Sequence, residues 1–258
     1  MKVDNRENLL IFDNKGKVFN LPVSKIPITD RNGSGTDIRI LIKNLTSDII
    51  SVYYEPIFKN IASCGKKHYL TILTKSNTIK KLDIEDFLSV NPSGLMYSKI
   101  KDDDEVVGIA LTPHNLDVVI CSGHNALRTT MKYIPLFKRN AAGSRAMDTM
   151  DPINGLSVIY PDVSDIVVVT KNGKFNRFHI TMLPSYVRAR KGVGVIKLDS
   201  NDEIFNIFGV NESDKIRLVT SEGVEEIPVT SIKSKSRLAA GTKLLTSKGV
   251  IIRADIVR

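Results

Sequence analysis

The sequence predicts an all-β, propeller-like fold of about five four-stranded blades, and three observations predict it. Five short apolar runs recur, each leading into a tight-turn residue and then a second run. A glycine landmark follows every turn at a nearly fixed offset of 17 to 19 residues. No window carries a sustained helical period, while segments rich in β-branched residues, such as DIRILI, VVGIAL, VGVIKL and EIFNIFGV, fill the intervals.

Taken in chain order, the paired runs are LLIFDNKGKVFNL from Leu9, YLTILTKSNTIKKL from Tyr69, VVICSGHNALRTT from Val118, IVVVTKNGKFNRF from Ile166 and IRLVTSEGVEEIPV from Ile216. Their turns are placed at Gly16, Asn77, Asn125, Gly173 and Gly223, because Gly and Asn tolerate the positive φ of a hairpin turn. Successive turns are 61, 48, 48 and 50 residues apart, and a loop-like insertion at about 55–67 accounts for the long first interval. One domain spanning 1–258 is expected, with repeats at about 9–67, 68–116, 117–164, 165–213 and 214–258. The landmark glycines, Gly35, Gly94, Gly143, Gly192 and Gly241, lie in DRNGSG, VNPSG, KRNAAG, RARKG and SRLAAG. Four residues before each stands Arg31, Val90, Arg139, Arg188 or Arg237, so four of five repeats place an arginine in one slot.

The composition is that of an ordinary globular chain: 258 residues, 42% hydrophobic and 25% charged, with no apolar run long enough to span a membrane. Two cysteines, Cys64 and Cys121, make no disulfide framework, and the N-terminus lacks the apolar core of a signal peptide, so a reducing cytoplasm is expected. The four histidines, His68, His114, His124 and His179, show no metal-ligand spacing. No phosphate loop, nucleophile elbow or Cys/His dyad is present, and a non-catalytic chain without cofactor or metal is expected.

The repeats resemble the C-terminal β-pinwheel of the type IIA topoisomerase A subunit, as in bacterial gyrase and topoisomerase IV. FDNKGKVFNLPVSKIP followed by RNGSG is similar to that family's blade pattern of strand, turn, basic strand, V-x-x-x-P and R-x-x-x-G. TKSNTIKK, RARKGVGVIKL and SRLAAGTKLLTSKGVI match later blades in order, so the likeness runs from about Leu9 to the end. The resemblance implies a β-pinwheel that binds and bends duplex DNA around a basic rim and presents it to the catalytic core of the same topoisomerase. Through that core it implies partnership with the ATPase subunit. One departure stands out: the gyrases' glycine-rich basic box QRRGGKG has DRNGSGT, from Asp30, as its nearest match. Either a blade lies outside this chain or the protein is a five-bladed, topoisomerase IV-like relative.

Charge sharpens the DNA expectation. The net charge of +9 is unevenly spread. Ile166 to Leu198 holds seven cations, Lys171, Lys174, Arg177, Arg188, Arg190, Lys191 and Lys197, and no acid. Val118 to Met147 holds five, Arg128, Lys132, Lys138, Arg139 and Arg145, again without an acid. From Tyr69 to Leu111 five lysines face seven acids, including the run Asp102 to Glu105, which is expected to be a solvated loop. The candidate DNA contacts are therefore Arg188, Arg190, Lys191, Arg139, Lys138, Arg145, Arg128, Lys171, Lys174, Arg177, Lys197, Arg31 and Arg237. The slot arginines have an equal alternative as packing devices that hydrogen-bond a neighbouring blade's carbonyls. The cluster Arg188, Arg190, Lys191 and Gly192 is the leading site. The rival for the whole chain is a propeller that docks an acidic protein partner; a propeller-based hydrolase is a weaker third.

Overall fold

The computed structural model describes residues 3–30, 33, 35–65 and 67–258. β1 (Asn8–Asp13) and β2 (Lys17–Pro22) form the first hairpin, followed by α1 (Ile38–Leu41), β3 (Ile49–Tyr54) and α2 (Glu55–Ser63). The second repeat contains β4 (His68–Thr74), β5 (Thr78–Asp83), β6 (Leu95–Met96) and β7 (Val106–Pro113), and the third β8 (Asp117–Ser122), β9 (Asn125–Thr130), β10 (Ser144–Arg145) and β11 (Ile153–Ile159). The fourth contains β12 (Asp165–Thr170), β13 (Lys174–His179), β14 (Val193–Gly194) and β15 (Ile204–Val210), and the fifth β16 (Lys215–Thr220), β17 (Gly223–Pro228), β18 (Thr242–Lys243) and β19 (Ile251–Val257).

These strands build five antiparallel sheets of order β3-β1-β2-β6, β10-β5-β4-β7, β11-β8-β9-β14, β15-β12-β13-β18 and β17-β16-β19. The all-β, five-blade expectation is met. What periodicity does not reveal is an exchange: β6, β10, β14 and β18 each join the sheet of the preceding repeat. Four sheets gain their fourth strand this way, and the last has three. The exchanged segment, with its landmark glycine, is here termed the arm. All five landmark glycines have positive φ, and at Gly192 a Cβ would lie 2.3 Å from the Ala126 carbonyl oxygen, so only glycine lets the arm approach β9. The third hairpin corrects its expected turn: Asn125 already belongs to β9, and the positive φ falls on Gly123.

The chain forms two compact units, Met1–His114 with Pro135–Ser144, and Asn115–Ile134 with Arg145–Arg258. The third repeat is thus divided, because residues 135–144 of its arm belong to the first unit. The core of the first unit gathers Leu10, Phe12, Leu70, Ile72 and Tyr97 around the buried ring of Phe58. Phe58 stands on α2, so the interval at 55–67, expected as loop-like, is helical over Glu55–Ser63. Pro56 in its first turn fits a helix start, and the segment is only nine residues long, too short to show a period.

In the second unit β12 is buried at all six positions, as a strand covered on both faces must be, whereas β11 alternates buried and half-buried residues. Its two cores centre on Val168, Phe178 and Ile207, and on Val167, Phe175 and Leu218.

Candidate nucleic-acid interface

The slot arginines follow one rule. The Arg139 guanidinium donates to the Met96 carbonyl at 3.2 Å, Arg188 to that of Arg145, and Arg237 to that of Gly194. Each acceptor lies two residues beyond the preceding repeat's landmark glycine, so each arginine ties its arm to the arm before it. Arg188 also donates to the Tyr133 carbonyl at 3.2 Å. The packing alternative describes these contacts, and the half-buried guanidiniums keep further N–H groups. Arg31 lies outside the described residues.

A second basic slot, on the outer strand of each hairpin, is structural. Lys81, Arg128 and Arg177 form isolated parallel bridges to Leu136, Ser185 and Ser234 of the following arm. Arg128 pairs with Asp117 at 2.7 Å and reaches the Leu183 carbonyl. Arg177 corrects its assignment as a DNA contact: it is 7% exposed, grips Asp165 with Nε at 3.0 Å and Nη2 at 2.7 Å, and donates to the Val229 carbonyl at 3.1 Å. Burial works against its charge, but the hydrogen bonds to Asp165 and Glu212 prevail and raise its pKa. A guanidinium with its donors used inside the fold has none to offer a phosphate.

The acid-free windows also look different in three dimensions, because each ends one residue short of a carboxylate. Asp117 and Asp148 flank one window and Asp165 and Asp199 the other. All four capture a cation: Arg128, Arg145 at 2.7 Å, Arg177 and Lys174 respectively, while Lys171 reaches Glu203 at 2.7 Å. The candidates that stay exposed with no side-chain partner among the described residues are Lys138, Arg190, Lys191 and Lys197. Arg190 and Lys191 sit on a fixed stretch of arm, where the Ala189 amide donates to the Ala146 carbonyl at 2.9 Å and the Asp148 amide to that of Arg190 at 3.0 Å.

The acidic run is less solvated than expected. Asp104 is 5% exposed and accepts from the amides of Ser76 and Glu105 at 2.9 and 2.8 Å, fixing the second hairpin. Glu105 binds Lys75 at 2.9 Å and holds its ammonium in the charged form.

Lys243 and Lys248 escaped the charge windows. With Lys171 and Lys174 they line a cavity of about 500 Å³, together with Asn172, Ser247 and neighbours. They lie some 70 residues from Lys174 in sequence, and only the register of β13 with β18 brings them together.

Comparison with known proteins agrees with this architecture. The family model described as DNA gyrase C-terminal domain, beta-propeller, matches residues 7–38, 68–113 and 164–211. The DNA gyrase GyrA-type chain of Staphylococcus epidermidis (strain ATCC 12228 / FDA PCI 1200) is 28% identical over 245 residues, 93% of this chain and 27% of that protein. Its counterpart in Staphylococcus aureus (strain MRSA252) is 26% identical over the same shares. The chain thus spans about a quarter of the length of these relatives. The crystal structure of the C-terminal domain of DNA topoisomerase IV superposes with a TM-score of 0.84 at 24% identity, over 99% of this chain and 80% of that one. The DNA gyrase A C-terminal domain gives 0.79 at 18%, over 98% and 83%.

Proposed function

We propose, from the premise that this chain belongs to the DNA gyrase C-terminal domain family, that it is a non-catalytic module which binds and bends duplex DNA. It would hand that DNA to the catalytic core of a type IIA topoisomerase in the cytoplasm, and through the core work with the ATPase subunit. The observation that carries the reading is the set of exposed cations left over once the internal ion pairs are made, foremost Arg190 and Lys191 on the fourth arm. Lysine and arginine contacts to phosphates release condensed counterions and carry no sequence code. They need only outweigh a bending cost of about 1–6 kcal/mol over a site of 20–30 base pairs.

The test is the anisotropy of a labelled duplex of about 30 base pairs, titrated across salt concentrations. Binding that weakens steeply with salt and is the same for unrelated sequences is expected. R190E/K191E should weaken it while leaving the melting temperature unchanged, since neither side chain holds an internal bond. Absence of duplex binding at low salt, with binding of an acidic peptide instead, would replace this reading with the protein-docking one.

A further inference from the structure

Within the second unit, the turn of the fourth hairpin and the segment 243–250 of the fifth repeat enclose the lysine-lined cavity of about 500 Å³. Neither an Asp nor a Glu is among its lining residues, and its apolar wall is Leu245 and Val250, without an aromatic ring. Lys174 and Lys243 stand directly opposite each other in the antiparallel pairing of β13 with β18. Like charges on facing rungs repel. The equivalent rungs avoid this: Lys17 faces Met96, and Asn125 faces Gly194.

The carboxylates nearby do little to relieve the repulsion. Lys171 and Lys174 bind Glu203 and Asp199, which are 65% and 61% exposed, and ion pairs in such positions are weak and exchangeable. Lys243 and Lys248 have no side-chain partner among the described residues. The two glutamates beside the loop are occupied elsewhere: Glu222 accepts from the Lys248 amide at 3.1 Å and Glu225 from the Ser247 amide at 2.7 Å. A repulsive cluster with no structural return fits an anionic occupant.

We propose that this groove seats consecutive phosphates of one DNA strand, with Lys243 and Lys248 as its principal contacts and Lys171 and Lys174 released from their carboxylates to complete it. The inference rests on the duplex-binding reading and names where on the second unit the backbone is held. A nucleotide is a poorer fit. No ring is present to stack a base, and the amides of Thr246, Ser247, Lys248 and Val250 are already bonded, so they form no phosphate-cradling loop.

The full chain carrying K243E/K248E tests it in the same salt titration. Two lost phosphate contacts should lower the slope of log K against log salt by about two. K243E alone should hold or raise the melting temperature at low salt, because it turns a repulsive rung into an attractive one. A mutant that binds the duplex with unchanged strength and slope overturns the groove and leaves the broader reading intact. If the unsubstituted chain binds no duplex, both fall. Loss of inorganic triphosphate binding in K243E/K248E, with duplex binding unaltered, likewise overturns the assignment to DNA.

Discussion

The fourth and fifth blades occupy the same unit and share one hairpin geometry, yet they use the same two positions in opposite senses. On β13 of the fourth blade Asn176 and Arg177 are donors. The Asn176 amide reaches the carbonyls of Val195, Ser236 and Arg237 at 3.0, 3.3 and 3.0 Å, and Arg177 reaches those of Val229 and Ile232. On β17 of the fifth the corresponding residues are Glu225 and Glu226, which only accept. Even the cross-strand ion pair is inverted, with Asp165 and Arg177 replaced by Lys215 and Glu226. An arm offers carbonyls to this edge, and carboxylates repel carbonyl oxygens. Glu225 instead binds its own repeat, accepting from the Thr246 amide and hydroxyl at 3.2 and 2.9 Å and the Ser247 amide at 2.7 Å. Donors at this pair of positions bind the next arm, and acceptors fasten the blade's own loop.

The comparison is broken most severely at Arg177. R177M leaves Asp165 buried without its partner and the Val229 carbonyl without a donor, and should cost about 3–5 kcal/mol in urea denaturation. Next comes N176L, which strips the donors from an arm and should cost about 1–3 kcal/mol, with arm amides such as Lys235 exchanging faster. The opposite substitution in the fifth blade, E226Q, touches an exposed pair and should stay within about 1 kcal/mol. An E226Q effect as large as that of R177M would show that the two blades do not differ as described.

Acidity sharpens the same contrast. Glu225 is affected first by burial, which raises its pKa, but the hydrogen bonds from Ser247 and Thr246 outweigh this and lower it. Its stabilisation is therefore complete above the ordinary carboxylate range and is lost as pH falls through the lowered value, so wild type and E225Q should converge in stability below about pH 4. Lys80, at the equivalent position of the second blade, behaves in reverse. It is 1% exposed, donates to the carbonyls of Arg139 and Ala141 at 2.7 and 2.8 Å, and burial lowers its pKa to about 8. The unfolded chain, with lysine near its ordinary value of 10.5, binds more protons between those values, so stability should rise relative to K80Q from about pH 8 to 10.5. A flat difference across that range would mean that the ammonium is not desolvated.

Much of this was legible in the sequence, and the losses have physical causes. The five hairpins and the five landmark glycines stood out because turn and arm both require positive φ at a fixed spacing. Arm exchange left no trace, since the repeat length is the same whether Leu95–Met96 pairs at home or one sheet back. Charge windows misled for the same reason that strands pair: Arg177 meets an acid twelve residues away across the hairpin, and Lys174 meets Asp199 beyond the window's edge. Conversely, Lys243 faces Lys174 through a register that no linear count contains.

The exchanged arms also determine where the chain is divisible. A piece ending at residue 213, the fourth repeat's boundary, would lack Thr242–Lys243 and leave β13 as a bare edge, open to other chains. Its natural severing points straddle two repeats. Lengthening or shortening such an array by gene duplication or loss can therefore leave intact sheets only when whole repeats enter or leave, since each unit inserted must both give an arm and receive one.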